Sequence, residues 1–222
     1  MVFQANNIEI FRSQIYLWQQ MPIRFHHFFC FVPKGAPQMD ELVRMGLNEG
    51  PPNRHPGQGT ANRRIFFENG MIELIWAEDE VELQSPSISP TRLWERSRWR
   101  ATGYSPFGIA VTSAASAAKM APPFAGWDYR PGYLPAGISI LNATQPAHEP
   151  MIFCLSGARP FERVEHPGGA RKIRKITVAL TGSPISEAVR ALAGLPEIEL
   201  ITGSTPSAVI ELDNGAQFRL PA

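Results

Sequence analysis

Glu73 stands inside an apolar run, MIELIW (71–76), and His27 inside another, IRFHHFFCFV (23–32). A carboxylate among aliphatic neighbours is costly unless it meets a metal, an arginine or a proton. Burial without a cationic partner raises its pKa and suits it to general-base work. Arg63 and Arg64, in the preceding run, are candidates to pair with it instead. The plain alternative for His27 is a hydrogen-bonded imidazole in an aromatic core, and the same holds for His26. Side chains alternate along a strand. Ile23, Phe25, His27, Phe29 and Phe31 should therefore share one face, and Arg24, His26, Phe28, Cys30 and Val32 the other. By the same rule Met71, Glu73 and Ile75 share a face.

Between these runs lies HPGQGTANRRIFF (55–67), with glycines at 57 and 59. A phosphate-cradling loop needs a strand before its glycines and a helix after them. Here a polar loop precedes and a strand follows, and the sixth residue counted from Gly57 is Asn62. There is no Gly-Lys-Ser/Thr element, so no nucleotide cofactor is expected. Thr60 and Asn62 can hydrogen-bond a loop or a ligand. Gly57 and Gly59 permit the turn. His55 and His166 each precede Pro-Gly and read as turn residues, with ligand contact as the second possibility.

The elements that must position these groups follow from periodicity. Residues 23–32 are aromatic and β-branched, a buried strand. PQMDELVRMG (37–46) is a helix stopped by Gly46. Thr60–Glu68 and Met71–Ala77 are strands joined at Asn69-Gly70, residues that tolerate positive φ. Residues 78–88 read as a linker. Ser89–Arg100 reads as a helix with Ser89 as N-cap and Pro90 first; its four arginines, 92, 96, 98 and 100, should form a solvated face. Phe107–Thr112 is a strand, Ala114–Met120 a helix, and Gly137–Asn142 and Pro150–Leu155 two further strands. The segment 121–136 is a loop whose aromatics, Trp127 among them, could cover a cavity mouth. The end repeats the beginning: 173–195 lies over 23–47, and VIELDNGAQFRL (209–220) over IFFENGMIEL (65–74). Thr177 then falls where His27 does, and Phe218 where Glu73 does.

Composition narrows the classes. The chain has 222 residues, a net charge of +1, 18 glycines and 21 prolines. Near-neutral charge gives no reason to expect nucleic acid or a membrane surface as partner. No stretch approaches the about 20 apolar residues of a membrane-spanning helix. The start lacks a basic region followed by an apolar core, so the expected location is cytoplasmic. Cys30 and Cys154 lie in apolar runs and read as buried thiols.

The strand FHHFFCFVP, the segment HPGQGTANRRIFF and the strand GMIELIW together resemble the first module of glyoxalase-like proteins of the vicinal oxygen chelate superfamily (glyoxalase, bleomycin resistance, dihydroxybiphenyl dioxygenase). PMIFCLSG, EHPGGARKIRKITVAL and VIELDNGAQFRL resemble the rest. The resemblance implies an α+β fold of paired βαβββ modules whose curved mixed sheets enclose a cavity. The chain then divides into an N-terminal arm (1–21), a first module (22–82), a linker with a helix (83–103) and a second module with the C-terminal βαββ repeat (104–222). It also implies metal ligands at His27 and Glu73, for one divalent ion; imidazole and carboxylate suit Zn, Fe, Mn or Ni. Homodimers are common in the superfamily.

The sequence departs from that pattern in its second half. A catalytic metal usually has three protein ligands and an open position, yet 107–112 holds neither His nor Glu and 150–155 is apolar. His148 and Glu149 could complete the set only after a shift of several residues. Three readings stay open. One is a metal-dependent lyase, isomerase or dioxygenase acting on a small oxygen-bearing molecule, with Glu73 catalytic and His55, Thr60, Asn62 and Trp127 around the substrate. The second is a metal-free protein that binds or sequesters a small molecule. The third keeps the fold without the chemistry.

Overall fold

The aromatic run at Ile23–Phe31 forms β1, a central strand of a curled eight-stranded mixed sheet. The computed structural model describes residues 23–113, 122–157, 161 and 164–221. The N-terminal arm and the helix expected at 114–120 lie outside the described residues. After β1 come α1 (Gln38–Arg44), β2 (Asn53–His55), β3 (Thr60–Phe67) and β4 (Gly70–Ala77). A covering segment follows, with α2 (Glu80–Leu83), α3 (Leu93–Ser97) and α4 (Trp99–Thr102). The second set of strands is β5 (Phe107–Ser113), β6 (Gly126–Tyr129), β7 (Ser139–Ala143) and β8 (Met151–Ser156).

The strand order is β2-β3-β4-β1-β5-β8-β7-β6. Each half has its first strand parallel to its last, and the halves join where β1 runs antiparallel to β5. The two halves thus share one pairing scheme, related by a pseudo-twofold axis between β1 and β5.

The chain ends in β9 (Ile173–Leu180), α5 (Glu187–Ala191), β10 (Ile198–Thr202), β11 (Ser207–Leu212) and β12 (Gln217–Leu220). These strands make a separate sheet in the order β10-β9-β11-β12. The strand–helix and hairpin of the sequence repeat are present, but the wiring differs. Here the first strand is parallel to the second and antiparallel to the third, whereas β1 is parallel to the fourth. Thr177, the counterpart of His27 in the repeat, hydrogen-bonds Glu199 at 2.9 Å.

One face of the large sheet packs against this second sheet and α1. Phe28, Cys30, Ile72, Leu74, Ile109 and Ile152 meet Met39, Ile176, Val178 and Ile210 there. Each fully buried Phe or Ile side chain contributes about 1.5–3 kcal/mol relative to exposure. Asn69 stitches the two sheets: its amide nitrogen donates to the Ile173 carbonyl and its amide oxygen accepts from the Ile173 N–H, both at 2.9 Å. That job explains why the β3–β4 loop is Glu68-Asn69 and Gly70 already belongs to β4. Gly70 is needed for closeness rather than for positive φ, since a Cβ there would stand 2.4 Å from the ring of Phe25.

The opposite face of the sheet is covered from within the chain. The segment read as a linker folds back so that Leu83, Ile88 and Leu93 join Phe29, Phe31, Ile75 and Met151. Asp79 accepts from the N–H groups of Val81 and Glu82 and starts α2. The single helix expected at 89–100 is broken. Residues Ser89–Thr91 form one 3-10 turn, Arg92 takes a left-handed φ of 58°, and α3 begins at Leu93. The arginine face is broken too: Arg92, Arg98 and Arg100 are exposed, but Arg96 is buried. Residues 126–129, expected in a loop, form the edge strand β6. Both cysteines are buried and free. Among the described residues no helix is long and apolar enough to cross a membrane.

Candidate functional site

β1 carries a bulge that the alternation rule misses. Phe25 pairs with Val111 and His27 with Ala110, so His26 is the extra residue. The bulge resets the phase. Phe25 points to the same core as Phe28 and Cys30, while His27, Phe29 and Phe31 turn to the opposite face. Bulges recur where a side chain must be re-aimed. Here the bulge leaves the Nδ1 atoms of His26 and His27 2.7 Å apart, one donating and one accepting.

On the facing strand Glu73 is 6 % exposed, and the Nε2 of His27 is 3.7 Å from its Oε2. Asn62 on β3 donates its amide N–H to Oε1 of Glu73 and accepts from the N–H of Asn53 at 3.1 Å. When His26 is the donor and His27 Nδ1 the acceptor, the Nε2–H of a neutral His27 faces the carboxylate. Burial lowers the His27 pKa well below 6.5, helped by His26, His55 and Arg64. Burial raises Glu73 to about 6, against the opposing pull of the Asn62 hydrogen bond and Arg64. Neither arginine pairs with it directly. Arg63 is bound to Glu49 and Asp40, and Arg64 donates to the Pro51 carbonyl.

Next to this pair lies a polar cluster built on the glycine-flanked turn. Gly57 and Gly59 both have positive φ, 78° and 81°, and between them the side chain of Gln58 turns inward, 5 % exposed. Its amide nitrogen donates to Thr60 Oγ1 at 2.7 Å, and Thr60 Oγ1 lies 2.8 Å from His55 Nδ1. Its amide oxygen accepts from Tyr129 at 3.0 Å and Tyr133 at 2.8 Å. Gln58 follows β2 and Tyr129 lies on β6, the two edges of the sheet. The curled sheet is therefore latched into a cup by one side chain.

His27, Glu73, Asn62, Thr60 and His55 are thus brought together. Trp127 is not; it stacks edge-on against Tyr129 and stands beside Asn142. His166 fixes the two sheets, accepting from the N–H of Asn48 at 2.9 Å and bonding the Phe66 carbonyl at 3.0 Å. Glu149 is fully occupied by Ser186, whose N–H and Oγ–H each donate to it at 2.6 Å. Sequence reasoning missed Gln58; Tyr129 and Tyr133 were among the aromatics of 121–136 expected to cover a cavity mouth, but not as hydrogen-bond donors to Gln58. A signal existed: an amide between two glycines in a tight turn has few partners of its own.

The residues facing His27 and Glu73 from the second half decide whether they suit a metal. Ala110 pairs with His27 across the pseudo-twofold, and Phe153 and Leu155 occupy the inner face of β8. Among the described residues no group of three or more His, Cys, Asp or Glu side chains converges as a metal site. Among the described residues the pair offers two donors, one already engaged by Asn62, where a catalytic zinc has three protein ligands.

A curled mixed sheet made of two halves with matching strand order fits the vicinal oxygen chelate superfamily. The chain belongs to the glyoxalase-like domain family, whose sequence model matches residues 25–195. None of the curated proteins compared with the chain matches it. Among solved structures, a hypothetical protein from Staphylococcus aureus is similar at 13% identity and a TM-score of 0.42, over 90% of this chain and 85% of that one.

Proposed function

We propose that this glyoxalase-like protein binds a small oxygen-bearing molecule in the cup, with Glu73 as its proton acceptor and no requirement for a metal ion. The carrying observation is a buried carboxylate with a neutral imidazole and an amide for neighbours. A carboxylate with a pKa near 6 is ionised at neutral pH yet takes a proton readily. It suits abstraction from a hydroxyl, or from a carbon next to a carbonyl, with the proton held on Glu73 and returned. Asn62 fixes the orientation of the carboxylate. Nε2–H of His27 is a donor for a substrate oxygen or for the carboxylate itself. Thr60, His55, Tyr133 and Gln58 supply hydroxyl, imidazole and amide groups around the same hollow.

The test combines metal analysis with ligand screening. Purified wild type, His27→Ala and Glu73→Gln are measured by inductively coupled plasma mass spectrometry. The same proteins are screened by thermal shift against α-hydroxy carbonyls, diols and aromatic polyketides. Hits on metal-free wild type that vanish in Glu73→Gln support the reading. Stoichiometric metal in wild type, lost in both variants, overturns its metal-free part. A panel without any hit overturns the rest.

A further inference from the structure

A second hollow lies beyond Phe153. The ring of Phe153 is 5.4 Å from that of His27, and on its other side Phe153 pairs in register with Asn142 on β7. There, between the covering segment and the strands β6 and β7, is a cavity of about 290 Å3, lined by Arg96, Tyr104, Trp127, Asn142 and Gln145 among others. That is close to the low end of small-molecule sites, roughly 300 Å3. Neither His27 nor Glu73 lines it.

Two side chains on its wall have binding capacity that the protein leaves unused. Asn142 is 3 % exposed, and among the described residues both its amide oxygen and its amide nitrogen are buried without a hydrogen-bond partner. Arg96 is 3 % exposed; its Nη1 donates to the carbonyls of Ser105 and Glu149 at 2.8 and 2.9 Å, but its Nε–H has no partner. The carboxylates nearest in sequence and space are committed elsewhere. Glu95 pairs with Arg92 at 3.0 Å, and Glu149 is held by Ser186. The guanidinium has neutral carbonyls and the face of Tyr104, 5.6 Å away, as its direct company, and among the described residues it makes no ion pair, although the charges of Glu95 and Glu149 act on it from nearby. Two other polar side chains on the wall are satisfied: Thr91 donates to the Ile88 carbonyl, and Gln145 bonds both the Pro150 carbonyl and the Ile152 N–H. Leaving a buried amide unpaired is destabilising, and burying a cation without a direct ion-pair partner is costly as well. Both penalties are relieved by the same kind of guest.

We propose that this cavity binds a small hydroxycarboxylate, its carboxylate at Arg96, its hydroxyl and acceptor oxygen at Asn142, and its ring or chain against Trp127. The anion supplies the direct ion-pair partner that Arg96 does not have among the described residues. A hydroxyl beside an acceptor oxygen matches the donor and acceptor of one amide. Trp127, half-buried at the mouth, gives an apolar wall and a reporter.

The probe is 2-hydroxybenzoate, with benzoate and benzyl alcohol as comparisons, followed by tryptophan fluorescence and isothermal titration calorimetry. Wild type is expected to bind 2-hydroxybenzoate one to one, with benzoate weaker and benzyl alcohol weakest. Asn142→Leu is expected to weaken 2-hydroxybenzoate by at least about tenfold, the effect of one lost buried hydrogen bond to a charged ligand. The same variant is expected to melt higher than wild type without ligand, because an apolar side chain replaces an unpaired amide. Arg96→Lys is expected to abolish binding; if it fails to fold, Asn142→Leu decides alone. Glu73→Gln is expected to bind as wild type does. No saturable binding to wild type, or equal affinity in Asn142→Leu, overturns the proposal. So does loss of binding in Glu73→Gln alone, which would put the probe in the cup.

Discussion

The Nδ1 atoms of His26 and His27 lie 2.7 Å apart, although neighbours in a regular strand point to opposite faces. The bulge between Phe25 and His27 removes that constraint. His26 also packs its ring 4.4 Å from Phe161. One ring nitrogen of His27 is thereby engaged by a neighbour, and the tautomer offered to Glu73 follows from which of the two rings donates.

This crowding makes acid destabilising. Burial takes His26 and His55 down to about 4, and His27 well below 6.5. An unfolded chain takes up these protons near pH 6.5, whereas the folded one holds them off, until about 4 for His26 and His55 and well below 6.5 for His27. The stability these groups contribute is present above pH 6.5 and is lost as the pH falls toward 4. Glu73, raised to about 6, works in the opposite sense between pH 6 and 4.5. Three imidazoles outweigh one carboxyl, so the melting temperature should drop between pH 7 and pH 5. His26→Ala should flatten the slope. Thermal melts followed by circular dichroism check this, and a flat or rising profile on acidification contradicts it.

Glu73→Gln should make the protein more stable at pH 8. A rise from 4.5 to about 6, at about 1.4 kcal/mol per pKa unit, makes the ionised carboxylate cost about 2 kcal/mol in the fold. The cost is full above pH 6 and absent below pH 4.5. Gln keeps an oxygen for Asn62 and carries no charge. Urea unfolding at pH 8 and at pH 4.5 should show a gain at the higher pH alone. A group whose removal stabilises the fold is kept for another reason.

Much of this site was legible from residue type. Glu73 in an aliphatic strand and Asn62 in the strand beside it could be placed on one face because β3 and β4 are regular. His27 reached the correct face by a cancellation: the alternation rule grouped it rightly with Phe29 and Phe31 but wrongly with Phe25, because a bulge carries no signature in IRFHHFFCFV. Trp127 was placed near the site because loop aromatics often cover cavities. Its partner across β6 and β7, Asn142, sends it to the other hollow instead. Arg96 looked solvated because the helix was read as continuous. The left-handed Arg92 rotates α3 relative to the preceding turn and buries Arg96, and nothing in SPTRLWERS announces that.

Gln58→Ala should open the cup. Gln58 receives the hydroxyl protons of both Tyr129 and Tyr133 and is the side chain that ties the turn after β2 to β6. Its removal leaves the buried phenol of Tyr129 and the half-buried one of Tyr133 short of an acceptor, at a cost of about 1–3 kcal/mol for the buried group and less for the other. Amide hydrogen exchange in β6 should accelerate by more than exchange in β1, which stays paired on both sides. Equal acceleration in both strands would mean global destabilisation and no latch.

Gly108→Ala should disturb Glu73 without touching it. Gly108 pairs with Phe29 across β1 and β5, and Phe29 pairs with Glu73 across β1 and β4. A Cβ at 108 would stand 2.0 Å from the Phe29 ring. That ring is 4 % exposed and packs edge-on to Phe31, 5.9 Å away, so it has little room to withdraw. Overpacking of this kind costs about 1–3 kcal/mol. The ring must move along the face it shares with Glu73 and His27, so the pKa of Glu73, followed by carboxyl carbon NMR, should shift together with the loss of stability. Gly103→Ala serves as the comparison: a Cβ there meets nothing within 4 Å, and only its φ of +73° opposes the change. It should cost stability with no change at Glu73. A Glu73 titration identical in both variants would show that the packing row from β5 to β4 does not reach the carboxylate.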